Sequence, residues 1–329
     1  MLKIGVIGAG HLGKIHIQCI KGISDYQLVG FFDTDTANAK LVSKEFGIRL
    51  FDSVSELIKA VDVIDIVTPT FAHFEPAEQA LKLLKHVFIE KPIVTTPQQA
   101  LKLIDIANEA GVKVQVGHVE RFNPAMLAAL PFIENPMFIE AHRLSEFKPR
   151  GTDVPVILDL MIHDIDIVLH LVHANLRKVS ASGVAVISKT ADIANARLEF
   201  DNGCVANLTA SRLSFFPMRK TRLFQRDAYI SIDFLNKKTE VMSLREFNPN
   251  TDQKQFPLIA SNNGEKPKQV HLETPAIEPN NAIQIELASF AKSIIYNTMP
   301  AVTINDGYQA LDVAYQILNK VENSIFSTH

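Results

Sequence analysis

A glycine-rich segment near the start of the chain directly follows an apolar run and opens a helical pattern; it reads Gly8-Ala9-Gly10-His11-Leu12-Gly13. With this spacing, the first glycine allows a tight turn, the second lets a ligand approach the backbone, and the third lets helix and strand pack closely. The N-terminus of a helix also attracts phosphate groups. We expect the pyrophosphate of a dinucleotide to bind at Gly8, Gly10, His11, Leu12 and Gly13, with a cofactor-free glycine turn as the alternative.

An acidic residue, Asp33, ends the second predicted strand, about 20 residues after the last glycine. A carboxylate at this place accepts hydrogen bonds from the adenosine ribose hydroxyls and repels a 2′-phosphate. The neighbouring residues Thr34-Asp35-Thr36 supply no arginine that would compensate for that repulsion. The sequence therefore predicts NAD(H), rather than NADP(H), as the cofactor.

A second group of ionisable residues lies in the most apolar long stretch, residues 155–172, which is predicted to be a helix. Asp159 and His163 are four residues apart, so an α-helix places their side chains on one face. The pair is either functional or a buried pair that satisfies itself. A metal site of His163, Asp166 and His170 is a further alternative, although no cysteine or H-E-x-x-H pattern supports it. A lipid-facing span would not carry so many ionisable groups.

The elements that position these residues fall into two patterns. Five apolar runs alternate with helical patterns in the first part of the chain, which indicates a parallel sheet wrapped by helices; they are residues 3–7, 27–32, 63–67, 87–89 and 113–116. Later segments are mostly strands, and Asp201-Asn202-Gly203 predicts a hairpin turn between two of them. The fold class is therefore an α/β Rossmann domain with a doubly wound parallel sheet, followed by an α+β domain with an open, mostly antiparallel sheet.

The predicted domains are residues 1–121, which bind NAD, and residues 122–329, which bind substrate and mediate oligomerisation. Residues 155–174 are predicted to form one long helix, residues 248–268 a mobile loop, and residues 281–296 and 304–322 two closing helices.

Composition limits the classes of partner. The chain has 329 residues and a formal net charge of -3, which favours neither nucleic acid nor an anionic membrane. Its two cysteines, Cys19 and Cys204, have no metal-site spacing and suit a reducing compartment. No signal-peptide pattern precedes Lys3. We expect a cytoplasmic protein that binds no nucleic acid, no membrane and no metal.

Several motifs, taken in order, resemble the glucose–fructose oxidoreductase/inositol dehydrogenase/MocA (Gfo/Idh/MocA) family. Besides the glycine segment, they are Thr68-Pro69 with His73, Glu90-Lys91-Pro92, the run Gly117-His118-Val119-Glu120-Arg121-Phe122-Asn123-Pro124, and Asp159 with His163, Asp164 and Asp166. The resemblance implies that Thr68, Pro69, His73, Glu90 and Lys91 contact NAD. It also implies dimers or tetramers that form through the open face of the second sheet.

The resemblance assigns the chemistry of a secondary-alcohol oxidation to three side chains. His163 would be the base that takes the hydroxyl proton, since histidine titrates near neutrality. Lys91 would stabilise the developing alkoxide, although a solvated lysine at a strand end is the alternative. Asp159 would orient the imidazole or bind a substrate hydroxyl. Pro92 is a candidate for a cis peptide bond.

The substrate is indicated by basic residues in the second domain. Residues 212–226 contain five basic residues and no acidic one, and Arg143, Lys148 and Arg150 precede the predicted catalytic helix. Arginine binds phosphate well, so we expect Arg121, Arg150 and Arg222 to contact substrate together with Lys91, Asp159 and His163. A charged sheet face is the alternative. The run of residues 156–166 together with Met218-Arg219-Lys220 resembles the family members that oxidise the 3-hydroxyl of UDP-N-acetylglucosamine.

Three other functions remain open. The chain could be a dehydrogenase of a free polyol or cyclitol, an NAD-dependent glycosidase, or an NAD-responsive regulator without catalysis.

Overall fold

The computed structural model describes residues 1–147, 154–247, 258–259 and 267–326. It divides into two compact units: residues 1–122 with 281–315, and residues 123–280 with 316–329. The sequence places residues 281–315 in the second domain, whereas the structure assigns them to the first unit. The physical reason is that an amphipathic pattern identifies the buried face of a helix but not the sheet that this face covers.

The first unit contains the expected parallel sheet. Its strands are β1 (Leu2–Ile7), β2 (Tyr26–Phe32), β3 (Val63–Ile66), β4 (His86–Glu90) and β5 (Val114–Gly117), in the order β2-β1-β3-β4-β5. All four strand pairs are parallel. Every residue of β3 and β5 is buried, as expected for strands covered on both faces. The prediction of a Rossmann-type sheet is confirmed.

Five helices connect these strands, and their ends follow from local sequence; they are α1 (His11–Lys21), α2 (Thr36–Phe46), α3 (Val54–Ala60), α4 (Phe74–Lys82) and α5 (Pro97–Ala110). Two later helices also belong to this unit, α8 (Ala282–Ile295) and the first twelve residues of α9 (Ile304–Phe326). α5 begins after the Thr96 cap and ends at Gly111, a C-cap glycine in the left-handed conformation with φ +64°. α8 buries Leu287 and Phe290 against the sheet and α1.

The second unit is built on a larger sheet. Among the described residues its strands are β6 (Phe138–Leu144), β7 (Leu176–Val184), β8 (Ile193–Phe200), β9 (Val205–Ser211), β10 (Met218–Gln225), β11 (Ala228–Asp233), β12 (Lys238–Glu246), β13 (Leu258–Ile259) and β14 (Lys268–Glu273), in the order β13-β14-β12-β11-β10-β6-β9-β8-β7. Only the β6–β9 pair among them is parallel. Gly203 has φ +87° at the predicted hairpin turn. The mostly antiparallel sheet is confirmed.

One face of this sheet is buried and the other is open. Inward positions such as Ile139, Leu208, Leu223 and Ile230 are fully buried. Two helices pack on the buried face, α6 (Pro124–Ala129) and α7 (Ile162–Leu171). Outward positions alternate with the buried ones and are polar, charged or partly exposed apolar residues.

The predicted helix over residues 155–174 differs in its first turn. Residues Ile157–Met161 form a π turn, in which the N–H of Ile162 donates to the carbonyl of Ile157, and α7 follows as a regular helix. A π turn contains more residues than an α-helical turn and is frequent at functional sites. The prediction of one regular helix is therefore wrong for this turn.

The predicted loop over residues 248–268 lies mostly outside the described residues; within it, residues 258–259 and 268 belong to strands. In the described part of the chain, no helix combines the length and the apolarity that a membrane crossing requires.

Candidate active site

The glycine segment has the backbone geometry of a dinucleotide loop. Gly8 adopts φ +98°, and a Cβ there would lie 2.8 Å from the carbonyl oxygen of Val67. A Cβ on Gly13 would collide with the carbonyl of Gly8, so helix and turn require glycine at both positions. A Cβ on Gly10 would meet nothing within 4 Å. Gly10 thus faces open space at the start of α1, where a ligand can reach the backbone.

The surroundings of this loop also fit a dinucleotide. No side chain caps the N-terminus of α1, and its first turn contains no acidic residue, so its N–H groups are available to phosphates. The Asp33 carboxylate accepts hydrogen bonds from the N–H groups of Ala9 (2.6 Å) and Asp35 (2.8 Å), which holds it beside the loop. Asn38 donates to the carbonyl of Ala9. A carboxylate oxygen can accept more than one hydrogen bond, which leaves capacity for ribose hydroxyls.

His73 joins two further predicted cofactor segments. Its Nε2 lies 2.8 Å from the carbonyl oxygen of Thr68, and its Nδ1 lies 3.0 Å from that of Pro92. Burial lowers the pKa of His73, although the surrounding backbone carbonyls oppose this effect. The imidazole therefore fastens the turn that contains Thr68 and Pro69 to the segment that follows Lys91. The Lys91–Pro92 peptide bond is cis, as predicted.

A buried charge cluster lies beneath Lys91. His16 of α1 has its Nδ1 3.0 Å from Asp65 Oδ2 and its Nε2 3.1 Å from Glu90 Oε1. Glu90 Oε2 accepts a hydrogen bond of 3.1 Å from the backbone N–H of Lys91. All three side chains are inaccessible or nearly so. The Glu90 carboxylate thus has internal partners, and its contact with NAD stays a prediction.

The pKa values in this cluster follow from burial and from the charges. Burial lowers the pKa of His16, but the two carboxylates outweigh that effect and raise it well above its usual value. Burial raises the pKa of Asp65, opposed by His16. Burial also acts to raise the pKa of Glu90, but His16 and Lys91 outweigh it, and the pKa lies below its usual value. Both carboxylates therefore favour the protonated form of His16.

In the second unit, the π turn and the first turn of α7 carry the predicted catalytic residues. Asp159 is exposed and His163 is half-buried. The next residue, Asp164, is buried and forms a bidentate ion pair with Arg143 of β6, with both N–O distances 3.0 Å. Such a fork is the strongest arrangement of this pair. It fixes α7 to the sheet directly beside His163.

The structure gives two predicted substrate residues internal partners. Arg121 is buried, donates to the carbonyl of Ala301 (3.3 Å) and lies 3.7 Å from Asp306. Arg222 lies 3.6 Å from Glu140, its neighbour on β6. Lys220 lies 3.6 Å from Asp233. These contacts favour the charged sheet face over a phosphate site on β10, and the substrate roles of Arg121 and Arg222 stay predictions. Arg150 lies outside the described residues.

His16 and Asp65 are residues of this cluster that sequence reasoning missed. The available signal was Asp65, a carboxylate in the middle of the otherwise apolar run of residues 63–67. A charge on a strand that is covered on both faces requires a buried partner. Its partner, His16, is 49 positions away, and nothing local identifies it. Across the described residues, no group of three or more histidine, cysteine or acidic side chains is arranged to hold a metal ion.

The parallel sheet, the glycine loop and Asp33 define a Rossmann-type, dinucleotide-binding protein. Residues 2–118 match the model of an oxidoreductase family with an NAD-binding Rossmann fold, Gfo/Idh/MocA, and residues 138–229 match a Gfo/Idh/MocA C-terminal domain. The chain belongs to the Gfo/Idh/MocA family and is an NAD-dependent oxidoreductase.

Two relatives illustrate this similarity. The UDP-N-acetylglucosamine 3-dehydrogenase of Acidithiobacillus ferrooxidans is 44% identical over 237 residues, which cover 71% of this chain and 75% of that protein. A solved structure of the enzyme of that name from the same organism superposes with a TM-score of 0.87 at 35% identity, covering 98% of both chains. The scyllo-inositol dehydrogenase of Lactobacillus casei, solved with NAD(H) and scyllo-inositol, has a TM-score of 0.76 at 22% identity, which shows the shared fold alone.

Cofactor choice is testable at Asp33. We expect Asp33→Asn to reduce the preference for NADH over NADPH at least about tenfold, or roughly 1.4 kcal/mol, because it removes the charge that repels the 2′-phosphate. The amide retains an acceptor for the loop. Fluorescence titration with both dinucleotides measures the change.

The matched control is Asp35→Asn. Asp35 caps α2 through the N–H groups of Ala37 and Asn38, and asparagine is an equally good cap. This substitution removes a charge two residues away and should leave the preference intact. If Asp33→Asn and Asp35→Asn reduced the preference for NADH over NADPH equally, the effect would come from net charge rather than from the Asp33 carboxylate.

Proposed function

We propose that this chain is an NAD-dependent dehydrogenase that oxidises the 3-hydroxyl group of UDP-N-acetylglucosamine. The observation that carries the proposal is the 44% identity to the Acidithiobacillus enzyme over most of both chains. The match of solved structures over nearly the full length supports it, because it includes the second unit, where substrate specificity would reside. We further propose that the first unit binds NAD and the second binds the sugar nucleotide.

The proposed chemistry divides among a few side chains. NAD, when bound at the glycine loop and Asp33, supplies the hydride acceptor. The imidazole of His163 takes the proton of the substrate hydroxyl and returns it in the reverse direction. The Nζ ammonium of Lys91 stabilises the negative charge that develops on the hydroxyl oxygen. The exposed Asp159 carboxylate binds a neighbouring substrate hydroxyl or orients the imidazole.

The test is NADH absorbance after the purified protein is mixed with NAD and UDP-N-acetylglucosamine. A second arm adds a sugar-nucleotide aminotransferase with glutamate, which removes the keto product. A weak signal that the second arm increases supports the proposal and places the equilibrium toward the alcohol. The matched controls are free N-acetylglucosamine, which lacks the nucleotide, and glucose 6-phosphate, which carries a single phosphate. Turnover of either control in preference to the sugar nucleotide would contradict the proposal.

A dehydrogenase of a free cyclitol is the second candidate. The observation that favours it is the pairing of Lys220 with Asp233 and of Arg222 with Glu140, because it neutralises cations that a phosphate would use. The inositol 2-dehydrogenase of Rhizobium meliloti is 27% identical over 221 residues. Reduction of NAD with myo-inositol, and with no phosphorylated sugar, would select this candidate.

We also propose that the chain forms a homodimer or homotetramer through the open face of the second sheet, and that it is cytoplasmic. A row of side chains in direct register crosses this face and is termed the apolar row; its members are Val205, Phe138, Phe224, Tyr229, Met242 and Leu272. Two ion pairs, Lys220–Asp233 and Arg222–Glu140, lie beside this row on the same face. The buried free thiols of Cys19 and Cys204 support a reducing location.

The apolar row gives a testable prediction. Met242→Glu combined with Leu272→Glu should convert the oligomer to monomer, because each buried contact would then bury an unpaired carboxylate. These side chains are 40% and 62% exposed in the single chain. Light scattering coupled to size exclusion measures the mass. The control is Leu41→Glu, since Leu41 is 66% exposed on α2 in the other unit. A monomeric unsubstituted protein, or an unchanged mass in the double variant, would contradict the interface.

A further inference from the structure

The geometry of the cluster of His16, Asp65 and Glu90 fits a protonated imidazole held between two carboxylates. Both ring nitrogens of His16 lie within 3.1 Å of a carboxylate oxygen, one from each acid. A neutral imidazole has one N–H only, so its other nitrogen would direct a lone pair at an oxygen lone pair. Doubly protonated His16 donates a hydrogen bond to Asp65 and carries its second N–H 3.1 Å from Glu90 as an ion pair. The raised pKa of His16 agrees with this reading.

The Glu90 carboxylate is confined from three directions. Oε1 lies against His16, and Oε2 accepts the N–H of Lys91. On the third side lies Gly117, which is opposite Glu90 in the register of β4 and β5. A Cβ on Gly117 would lie 2.9 Å from the carboxyl carbon and from both carboxylate oxygens. This space is sufficient for the carboxylate only because residue 117 is a glycine.

Stability alone is a poor reason for such a cluster. Buried ion pairs are often no more stabilising than apolar side chains of the same volume, because the desolvation of each charge is costly. Clusters of buried charges with shifted pKa values are common next to functional groups. Here the outermost acid of the cluster bonds the backbone of Lys91 and faces its charge.

We propose that His16, backed by Asp65, positions Lys91 by fixing the Glu90 carboxylate, and that Gly117 provides the space this requires. His16, Asp65 and Gly117 are positioning residues and touch no substrate. The proposal rests on the proposed catalytic role of Lys91. It predicts that moving the Glu90 carboxylate lowers turnover even when Lys91 and every charge of the cluster are retained.

Gly117→Ala is the direct test, because it displaces the Glu90 carboxylate sterically and changes no charge. We expect kcat to fall at least about tenfold and the NADH dissociation constant to change less than about threefold. Gly117→Ala combined with Glu90→Ala relieves the crowding but removes the carboxylate. The double variant should regain thermal stability while its kcat stays low. Restored turnover in the double variant would overturn the proposal, since crowding alone would then explain the single variant.

A second readout needs no turnover. The N–H of Lys91 donates to Glu90, so its hydrogen exchange in the free protein should accelerate at least about tenfold in Gly117→Ala. His16→Gln, whose amide donates toward only one of the two acids, should accelerate it as well and provides the test should Gly117→Ala not fold. Unchanged exchange and unchanged kcat in these variants would overturn the proposal.

The two readouts separate this proposal from the proposed function. If Lys91→Ala retained full turnover, the proposed catalytic role of Lys91 would be ruled out. The expected fall of kcat in Gly117→Ala would then have no basis. The exchange rate of the Lys91 amide would still report whether Glu90 holds this segment. If Gly117→Ala accelerated the exchange of the Lys91 amide but had a normal kcat, the proposed positioning of Lys91 would be contradicted. The proposal that the substrate is a sugar nucleotide would be unaffected by this result.

Discussion

Lys91→Ala is expected to lower kcat by about 10²- to 10³-fold, because removing one preorganised group that stabilises a developing oxyanion has an effect of this size. Lys91 is half-buried and follows Glu90 at the end of β4. An ammonium in such a partly desolvated place stabilises negative charge far better than one in water. Steady-state NADH formation with the substrate identified for the unsubstituted protein measures the loss. NADH titration should show a nearly unchanged dissociation constant.

Two further variants test whether the loss of kcat is specific to the ammonium group of Lys91. Lys91→Arg retains the positive charge but replaces a compact ammonium with a planar fork, so we expect a partial loss. Lys44→Ala removes an exposed lysine of α2 in the same unit and should leave kcat unchanged. If Lys91→Ala turned over at the unsubstituted rate, Lys91 would be a solvated strand-end lysine. A parallel loss of NADH affinity would indicate a role in cofactor binding instead.

The parts of the fold that sequence predicts well are those with local causes. The five parallel strands are recognisable as short, mostly apolar runs, because strands covered on both faces bury nearly all of their side chains. The glycine loop is equally local: Gly8 and Gly13 occupy positions where any Cβ would meet backbone. The C-cap at Gly111 and the hairpin at Gly203 follow from backbone conformations that glycine adopts easily.

The parts that sequence reasoning missed depend on distant partners. β6 carries Arg143 at an inward position, which disguises its alternating pattern, and the compensating Asp164 lies 21 positions later. The His16–Asp65 contact spans 49 positions. The π turn before α7 cannot be read from residue types, because the same sequence suits a regular helix. In each case a buried charge or an irregular turn is stabilised by tertiary contacts alone.

Arg222 is a predicted substrate residue whose partner on the neighbouring strand could not be predicted from the sequence. Arg222 and Lys220 are two residues apart on β10, so they lie on one face of the strand, but their spacing cannot show which residues face them. Each has a carboxylate of the adjacent strand within 3.6 Å. A local excess of positive charge along one strand is therefore balanced across the sheet. Basic residues that are close in sequence indicate a phosphate site only when neighbouring strands provide no acids.

His163→Ala should lower kcat by about 10²- to 10⁴-fold, the usual contribution of a positioned general base. Added imidazole should restore part of the rate, because a free base can enter the space that the side chain leaves. His173→Ala, an exposed histidine just beyond α7, is the matched control and should have normal turnover. NADH binding should persist in both variants, and thermal unfolding should show that the Arg143–Asp164 pair still holds α7.

The alternatives for His163 predict different results. If His163 and Asp159 were only a structural pair, His163→Ala would lower the melting temperature without a selective loss of kcat, and imidazole would rescue nothing. If His163, Asp166 and His170 held a metal, dialysis against a chelator would abolish turnover of the unsubstituted protein. Asp166 is buried, at 1% exposure, so this second alternative would also require its carboxylate to be a ligand deep within the unit. Imidazole rescue together with chelator resistance would leave proton transfer as the role of His163.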